Sequence, residues 1–138
     1  MEKLPLLTPT STVTLSNTIL WDNSATNGGN EIFIEDDSCS VVLKYCCVDN
    51  TGYGFGSGVP TTTIDDSNHC IFVDPQFVDA DGADNTAGTD DDDLHLQDTS
   101  PCMDAGNNSY VPSGVTTDLD GNPRIVNSTV DIGAYEKQ

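Results

Sequence analysis

Val13-Thr14-Leu15-Ser16-Asn17-Thr18-Ile19-Leu20, running into Trp21-Asp22-Asn23, is the stretch on which the fold turns. Branched or apolar residues alternate with small polar ones, the period-two pattern of a strand buried on one face. A second copy, Val41-Val42-Leu43-Lys44-Tyr45-Cys46-Cys47-Val48, runs into Asp49-Asn50. Aligning the copies lays Val41 on Val13, Leu43 on Leu15, Cys47 on Ile19 and Val48 on Leu20, a repeat of about 28 residues. Between them Glu31-Ile32-Phe33-Ile34-Glu35 reads as another short strand. A further strand is expected at His69-Cys70-Ile71-Phe72-Val73, with Cys70 and Ile71 following Cys47 and Val48. Repeats of this length point to stacked coils, because a single coil cannot bury its own apolar face. An antiparallel sandwich also gives short strands, but it calls for Asn-Gly hairpin signals between them. The recurring strand-to-turn phrase favours the solenoid.

Composition agrees. Hydrophobic residues make up 36% of the 138 positions, and turn formers are abundant, which favours short strands over long helices. Four Lys and Arg against 23 Asp and Glu give a formal charge of −19. Such a surface repels phosphate backbones and anionic lipid, so nucleic acid and membrane are excluded as partners and cations are favoured. No apolar run approaches the length a membrane span requires.

Residues 1–11, broken by Pro5 and Pro9, read as a ragged lead-in to a single domain over 12–136, with coils at 12–78 and an acidic loop and cap at 79–136. The Gly-rich run Thr51 to Gly58 lacks the Lys of a phosphate loop and reads as a flexible excursion. The five cysteines fit disulfides in an oxidising compartment better than a zinc site, with buried free thiols as the alternative. Stacking would set Cys47 over Cys70, while the vicinal Cys46 and Cys47 would diverge, so that at most one points inward.

Four phrases carry a resemblance: Asp74-Pro75-Gln76-Phe77-Val78-Asp79, Ser100-Pro101-Cys102-Met103-Asp104-Ala105-Gly106, Asp118-Leu119-Asp120-Gly121-Asn122-Pro123-Arg124 and Asp131-Ile132-Gly133-Ala134-Tyr135-Glu136. In this order they resemble the C-terminal end of bacterial secreted right-handed parallel β-helix repeat proteins of the surface-anchor type. The resemblance implies an all-β fold, a short right-handed parallel β-helix of about three coils with a loop-rich C-terminal cap. It also implies an extracellular or cell-surface location and a terminal piece of a longer protein, whose export signal has been removed or lies upstream of Met1. An open N-terminal coil would expose strand edges, so self-association into a homo-oligomer through it is expected.

Calcium is the sharpest chemical expectation. Seven aspartates fall between 79 and 93, and Asp79, Asp81 and Asp84 surround Gly82 as oxygen donors would around a hard cation. Asp90, Asp92 and Asp93 are expected to complete the shell. The Glu that closes an EF-hand is absent, since Asp90 occupies that position. The plain alternative is a solvated acidic loop. Asp118 to Asn122 suggests a weaker second site, against a simple Asp-Gly-Asn-Pro turn.

Catalysis is the competing function class, because β-helix architectures house polysaccharide lyases and glycoside hydrolases. Asp91 and Asp92, or Asp65 and Asp66, are the carboxylate candidates, with Lys44 or Arg124 as the basic group, Lys44 reading otherwise as a solvent-facing charge on its strand. Adjacent aspartates on a strand face opposite ways, however, and Arg124 is expected to pair with Asp118, Asp131 or Glu136. His95 is expected to face outward from a short strand. Trp21, Tyr45, Tyr53, Phe55 and Tyr110 are candidates for stacking on polysaccharide, or else fillers of the core. The sequence therefore reads as a calcium-stabilised structural or adhesive module that contacts polysaccharide, with a polysaccharide lyase or glycosidase as the alternative.

Overall fold

A computed structural model describes residues 11–138; apart from Ser11, the expected lead-in lies outside the described residues. The architecture is all-β, with short strands β1 (Ser11–Ser16), β2 (Ile19–Leu20), β3 (Ile32–Ile34), β4 (Cys39–Lys44), β5 (Cys47–Val48), β6 (Tyr53–Phe55), β7 (Ile64–Asn68), β8 (Phe77–Asp79) and β9 (Asp93–Leu96). Helix is confined, among the described residues, to 3-10 turns at Asn50–Gly52, Thr61–Thr63 and Asn108–Tyr110. No helix of the described residues is long and apolar enough to cross a membrane.

The pairing is parallel through residue 71. Strands β1, β4 and β7 form one small sheet, β2 and β5 a second, and β3 and β6 a third. An isolated parallel bridge from Cys47 to Ile71 extends the second. The register sets Val13 against Val41, Leu15 against Leu43, Ile19 against Cys47 and Leu20 against Val48, which is the repeat alignment of the sequence. Parallel neighbours need a long crossover, and here each crossover carries strands of the other small sheets instead of a helix.

The expected strands at 13–20 and 41–48 are each split by a residue in the left-handed region, Asn17 at φ 52° and Tyr45 at 52°, and His69 at 57° stands at the head of the third. Asn and His adopt this conformation more readily than most residues, whereas Tyr must be held there by its surroundings. The ladder supplies the hold, because Asn17 N donates to Lys44 O (3.2 Å) and Tyr45 N to Asn68 O (2.9 Å). The strand expected at 69–73 is corrected accordingly. The ladder residues are 64–68, and beyond the turn at His69 only the bridge at Ile71 pairs. The Gly-rich run is corrected as well, since Tyr53–Phe55 is strand β6 against β3. Its glycines allow close approach: a Cβ on Gly54 would lie 2.6 Å from Gly29 N, and one on Gly56 2.0 Å from Glu35 O.

Two apolar clusters result. The first holds Ile34, Val41, Leu43, Cys46, Val48 and Ile64. The second holds Cys47, Leu96, Cys102 and Ile132, with Ile19, Trp21 and Phe77 packed on it. The turn at Tyr45 lets both vicinal cysteines be fully buried, one in each cluster, so the expectation that at most one points inward is corrected. From Phe77 onward the pairing changes direction, and β8 runs antiparallel to β9 with Phe77 opposite Leu96 and Asp79 opposite Asp93.

Candidate functional site

The acidic segment is the connection of the β8–β9 hairpin. Three of its carboxylates, those of Asp84, Asp91 and Asp92, are turned onto its own backbone. Asp91 Oδ2 accepts from the amides of Ala83 (2.8 Å) and Asp84 (3.2 Å), while its Oδ1 accepts from the Thr89 hydroxyl (2.7 Å). Asp92 Oδ2 accepts from Gly88 N (2.6 Å) and Thr89 N (3.2 Å), and Asp84 Oδ1 from Thr86 N (2.9 Å). Gly82, at φ 58°, lets the chain fold onto Asp91, whose Cγ would lie 2.8 Å from an added Cβ.

For calcium this is a poor fit as a ready-made cage. Among the described residues no three His, Cys, Asp or Glu side chains gather where one ion could be held. Of the six expected ligands, Asp84 and Asp92 serve loop amides and Asp93 serves His95. Asp79, Asp81 and Asp90 are exposed around the same hairpin. For catalysis the fit is no better. The Thr89 hydroxyl and the amides around it hold Asp91 below the usual carboxylate range, the opposite of what a general acid needs.

Arg124 belongs to a different constellation. Its Nη1 donates to Glu136 Oε1 and its Nη2 to Gly133 O (2.8 Å), with the guanidinium nearly buried and the Glu136 side chain fully so. Glu136 Oε1 also accepts from Asp131 N (3.0 Å), while Glu136 Oε2 is buried without a hydrogen-bond partner. Burial pushes Glu136 up to about 7, against the opposing pull of the Asp131 amide and Arg124. Asp131 accepts from Asp104 N (2.6 Å) and Lys137 N (2.7 Å), and Asp118 from the amides of Asp120, Asn122 and Glu136. The segment Asp118 to Asn122 is therefore a carboxylate-anchored turn, and Arg124 is a structural tie within the cap.

His95 lies between two carboxylates, with Nδ1 2.6 Å from Asp93 and Nε2 2.8 Å from Asp120, and its ring is 4.0 Å from that of Tyr135. Asp120 and then Asp93 raise its pKa, and His95 in turn lowers that of Asp93. His95 thus keeps the expected outward placement, with its side chain 42% exposed, and has two carboxylate partners there. Beside it runs an apolar groove of 390 Å³ lined by Ile19, Phe77, Leu94, Leu96, Ile132 and Tyr135. Neither Asp91 nor Arg124 lines that groove, and Asp92 lines a neighbouring one. The three catalytic candidates are not brought together.

The aromatic candidates separate in the same way. Tyr53 and Phe55 pack on the first apolar cluster and Trp21 on the second. Tyr45 stacks on His69 at 4.6 Å and 6°, Tyr110 tilts against Tyr45 at 5.9 Å, and Lys44 Nζ lies 5.5 Å from the Tyr110 ring. His69 and Lys44 therefore complete an aromatic strip of which the sequence pattern gave only the tyrosines.

Asn17 was not singled out, yet it is buried and clasps Asn107, donating from Nδ2 to its carbonyl (3.0 Å) and accepting its amide at Oδ1 (2.9 Å). No local pattern signals a contact between residues so far apart in the chain. No family model, no curated protein and no solved structure matches this chain.

Proposed function

We propose that the chain is a structural or adhesive module of a secreted or cell-surface protein, built as a short right-handed parallel β-helix closed by its C-terminal cap. The parallel register of β1, β4 and β7, with left-handed turns at equivalent places, carries this reading. Right-handed winding follows from the strong preference of parallel crossovers for that hand. Polysaccharide is the proposed partner, met at the strip of Tyr45, His69, Tyr110 and Lys44, where aromatic faces and one cation lie on an otherwise acidic molecule. Strand β1, which pairs with β4 alone among the described residues and leaves Val13 54% exposed, is the proposed surface for self-association.

Calcium is proposed as a stabiliser of the hairpin loop. Asp79, Asp81 and Asp90 supply the exposed carboxylates, and water and backbone carbonyls would complete the shell. Binding of this open kind falls in the weak range of extracellular modules, about 0.1–1 mM. What the ion supplies is relief of repulsion among carboxylates, and no chemical step is assigned to it.

The test is retention on insoluble polysaccharides combined with an assay for reducing ends and unsaturated products. Retention that Tyr45→Ala and Tyr110→Ala weaken, without turnover, supports the module. Turnover abolished by Asp91→Asn or Arg124→Ala replaces it with a lyase or glycosidase. A melting temperature raised by millimolar calcium and returned by chelator supports the ion's role; an unchanged one removes it.

A further inference from the structure

We propose that oxidation of this chain joins Cys46 to Cys70 and Cys47 to Cys102, leaving Cys39 as the odd thiol. All five cysteines are free thiols in the structure. Four of them are nevertheless already sorted into two pairs by the ladder and by the two apolar clusters.

The first pair follows from register. Cys47 bridges Ile71 in parallel, and Ile71 N donates to Cys46 O (2.8 Å). One step back along both strands, Cys46 stands opposite Cys70, on the side of the ladder facing the first cluster, where both pack. Adjacent strands lie about 4.8 Å apart, within the Cα separation of roughly 4.4–6.8 Å that a disulfide spans. The sequence alignment set Cys47 over Cys70, one position out of register, and a slip of one residue places two side chains on opposite faces. The second pair comes from the cap. Cys102, fixed by Ile132 N donating to its carbonyl (2.9 Å) and by its own amide donating to Ser100 Oγ (3.1 Å), enters the second cluster beside Cys47. Both thiols are fully buried there.

Within each pair the folded state also couples the two thiols. The Cys70 thiol hydrogen-bonds Cys46 and lowers its pKa to about 7 despite burial, while the Cys47 thiol and then Ser100 lower that of Cys102. Their partners Cys70 and Cys47 are raised correspondingly. The oxidant is a small-molecule disulfide such as oxidised glutathione. A protein thiolate attacks one of its sulfurs and expels one thiolate, and the second protein thiol, on losing its proton, attacks the mixed disulfide and expels the other. Each protein disulfide thus costs two protons and two electrons, taken up as two molecules of the reduced donor. With these thiols buried, the exchange takes place as the chain folds. Oxidising surroundings belong to the secreted reading above, but the pairing rests on the register of Cys46 with Cys70 and on the cluster shared by Cys47 and Cys102.

The test is to refold the full chain in mixed oxidised and reduced glutathione, alkylate it, and map linked peptides by mass spectrometry with fragmentation between Cys46 and Cys47. The expected map contains both links, with alkylation at Cys39. Cys47→Ser should keep the 46–70 link and free Cys102, and Cys70→Ser should keep the 47–102 link and free Cys46. The oxidised chain should melt about 10 °C above the reduced one. Should either variant fail to fold, fragmentation of the unaltered protein still decides. Five alkylated thiols after refolding, a 47–70 link, or a 46–102 link would overturn the proposal. Five alkylated thiols alongside undiminished polysaccharide retention would sink the pairing and leave the module standing.

Discussion

Two regions of one chain solve the same problem by different means. From 11 to 73 the backbone is satisfied mainly by parallel ladders, and aliphatic side chains such as Leu43 and Val48 fill the space inside. From 74 to 138 strands are few, and carboxylates take over as acceptors for backbone amides: Asp118, Asp131 and Glu136 together receive those of Asp104, Asp120, Asn122, Asp131, Glu136 and Lys137. A buried amide must find an acceptor somewhere. Where the fold offers no neighbouring strand, Asp and Glu provide one. Part of the chain's acidity thereby serves as internal scaffolding.

The comparison can be broken by asking whether the two regions unfold together. Far-ultraviolet circular dichroism follows the ladders, while fluorescence of Trp21, the single tryptophan, follows the second cluster on which it packs. Leu43→Ala should have the largest effect, about 4 kcal/mol by urea denaturation, because it leaves a cavity in a fully buried site. Both signals should shift. Arg124→Met should cost about 3 kcal/mol by stranding Glu136, and the fluorescence midpoint should fall further than that of the dichroism. Coincident midpoints for this variant would mean that the two regions form one cooperative unit. Asn17→Ala, which cuts the clasp between the regions, should cost about 2 kcal/mol and widen any gap between the midpoints.

The smallest effect is that of pH, and its sign differs between groups. Asp36, Asp65, Asp91 and Asp93 are lowered by hydrogen bonds, from Ser38, Ser67, Thr89 and His95 respectively. Asp118 is lowered by amides that outweigh its burial. Their contribution is present above the unfolded value of about 3.9 and is lost as pH falls through the lowered one. Glu136, raised from 4.5 to about 7, acts in the opposite sense: its contribution is full below 4.5 and is lost as pH rises through 7. His95, raised from 6.5, adds to that alkaline loss as pH rises through its folded value. Melting temperature should therefore peak in mildly acidic solution, and Glu136→Gln should flatten the fall between pH 5 and 8. A profile rising steadily to pH 8 would refute the assignment to Glu136.

The part of the fold legible in the sequence is the part governed by alternation. Val41 and Leu43 announce their register because every second side chain meets the core, and Val13 and Leu15 repeat the pattern although Val13 is left exposed. Ile64-Asp65-Asp66-Ser67-Asn68 does not, since one apolar residue among polar ones has no period, and it becomes β7 only because β4 offers it a ladder. The left-handed turn at Tyr45 is equally silent, being imposed by the neighbouring strand on a residue that does not favour it. In the cap, the pairing of Arg124 with a carboxylate was readable from the scarcity of cations. The Asn17–Asn107 clasp and the bracketing of His95 by Asp93 and Asp120 join distant positions and were not. In the acidic run, spacing along the loop does not reveal which oxygens turn back onto their own amides, as those of Asp84, Asp91 and Asp92 do.

Cys46 and Cys47, one in each apolar cluster, make the peptide between them a partition two residues wide. Chain length can drift in the stretches 22–30 and 80–92 at little cost, because enlarging an open connection changes closure entropy only slowly. A single codon gained or lost between 43 and 48 would instead exchange the contents of the two compartments. Natural variants should thus differ freely in the size of their outer arcs while keeping this short span at constant count, a pattern that genomic comparison alone can detect.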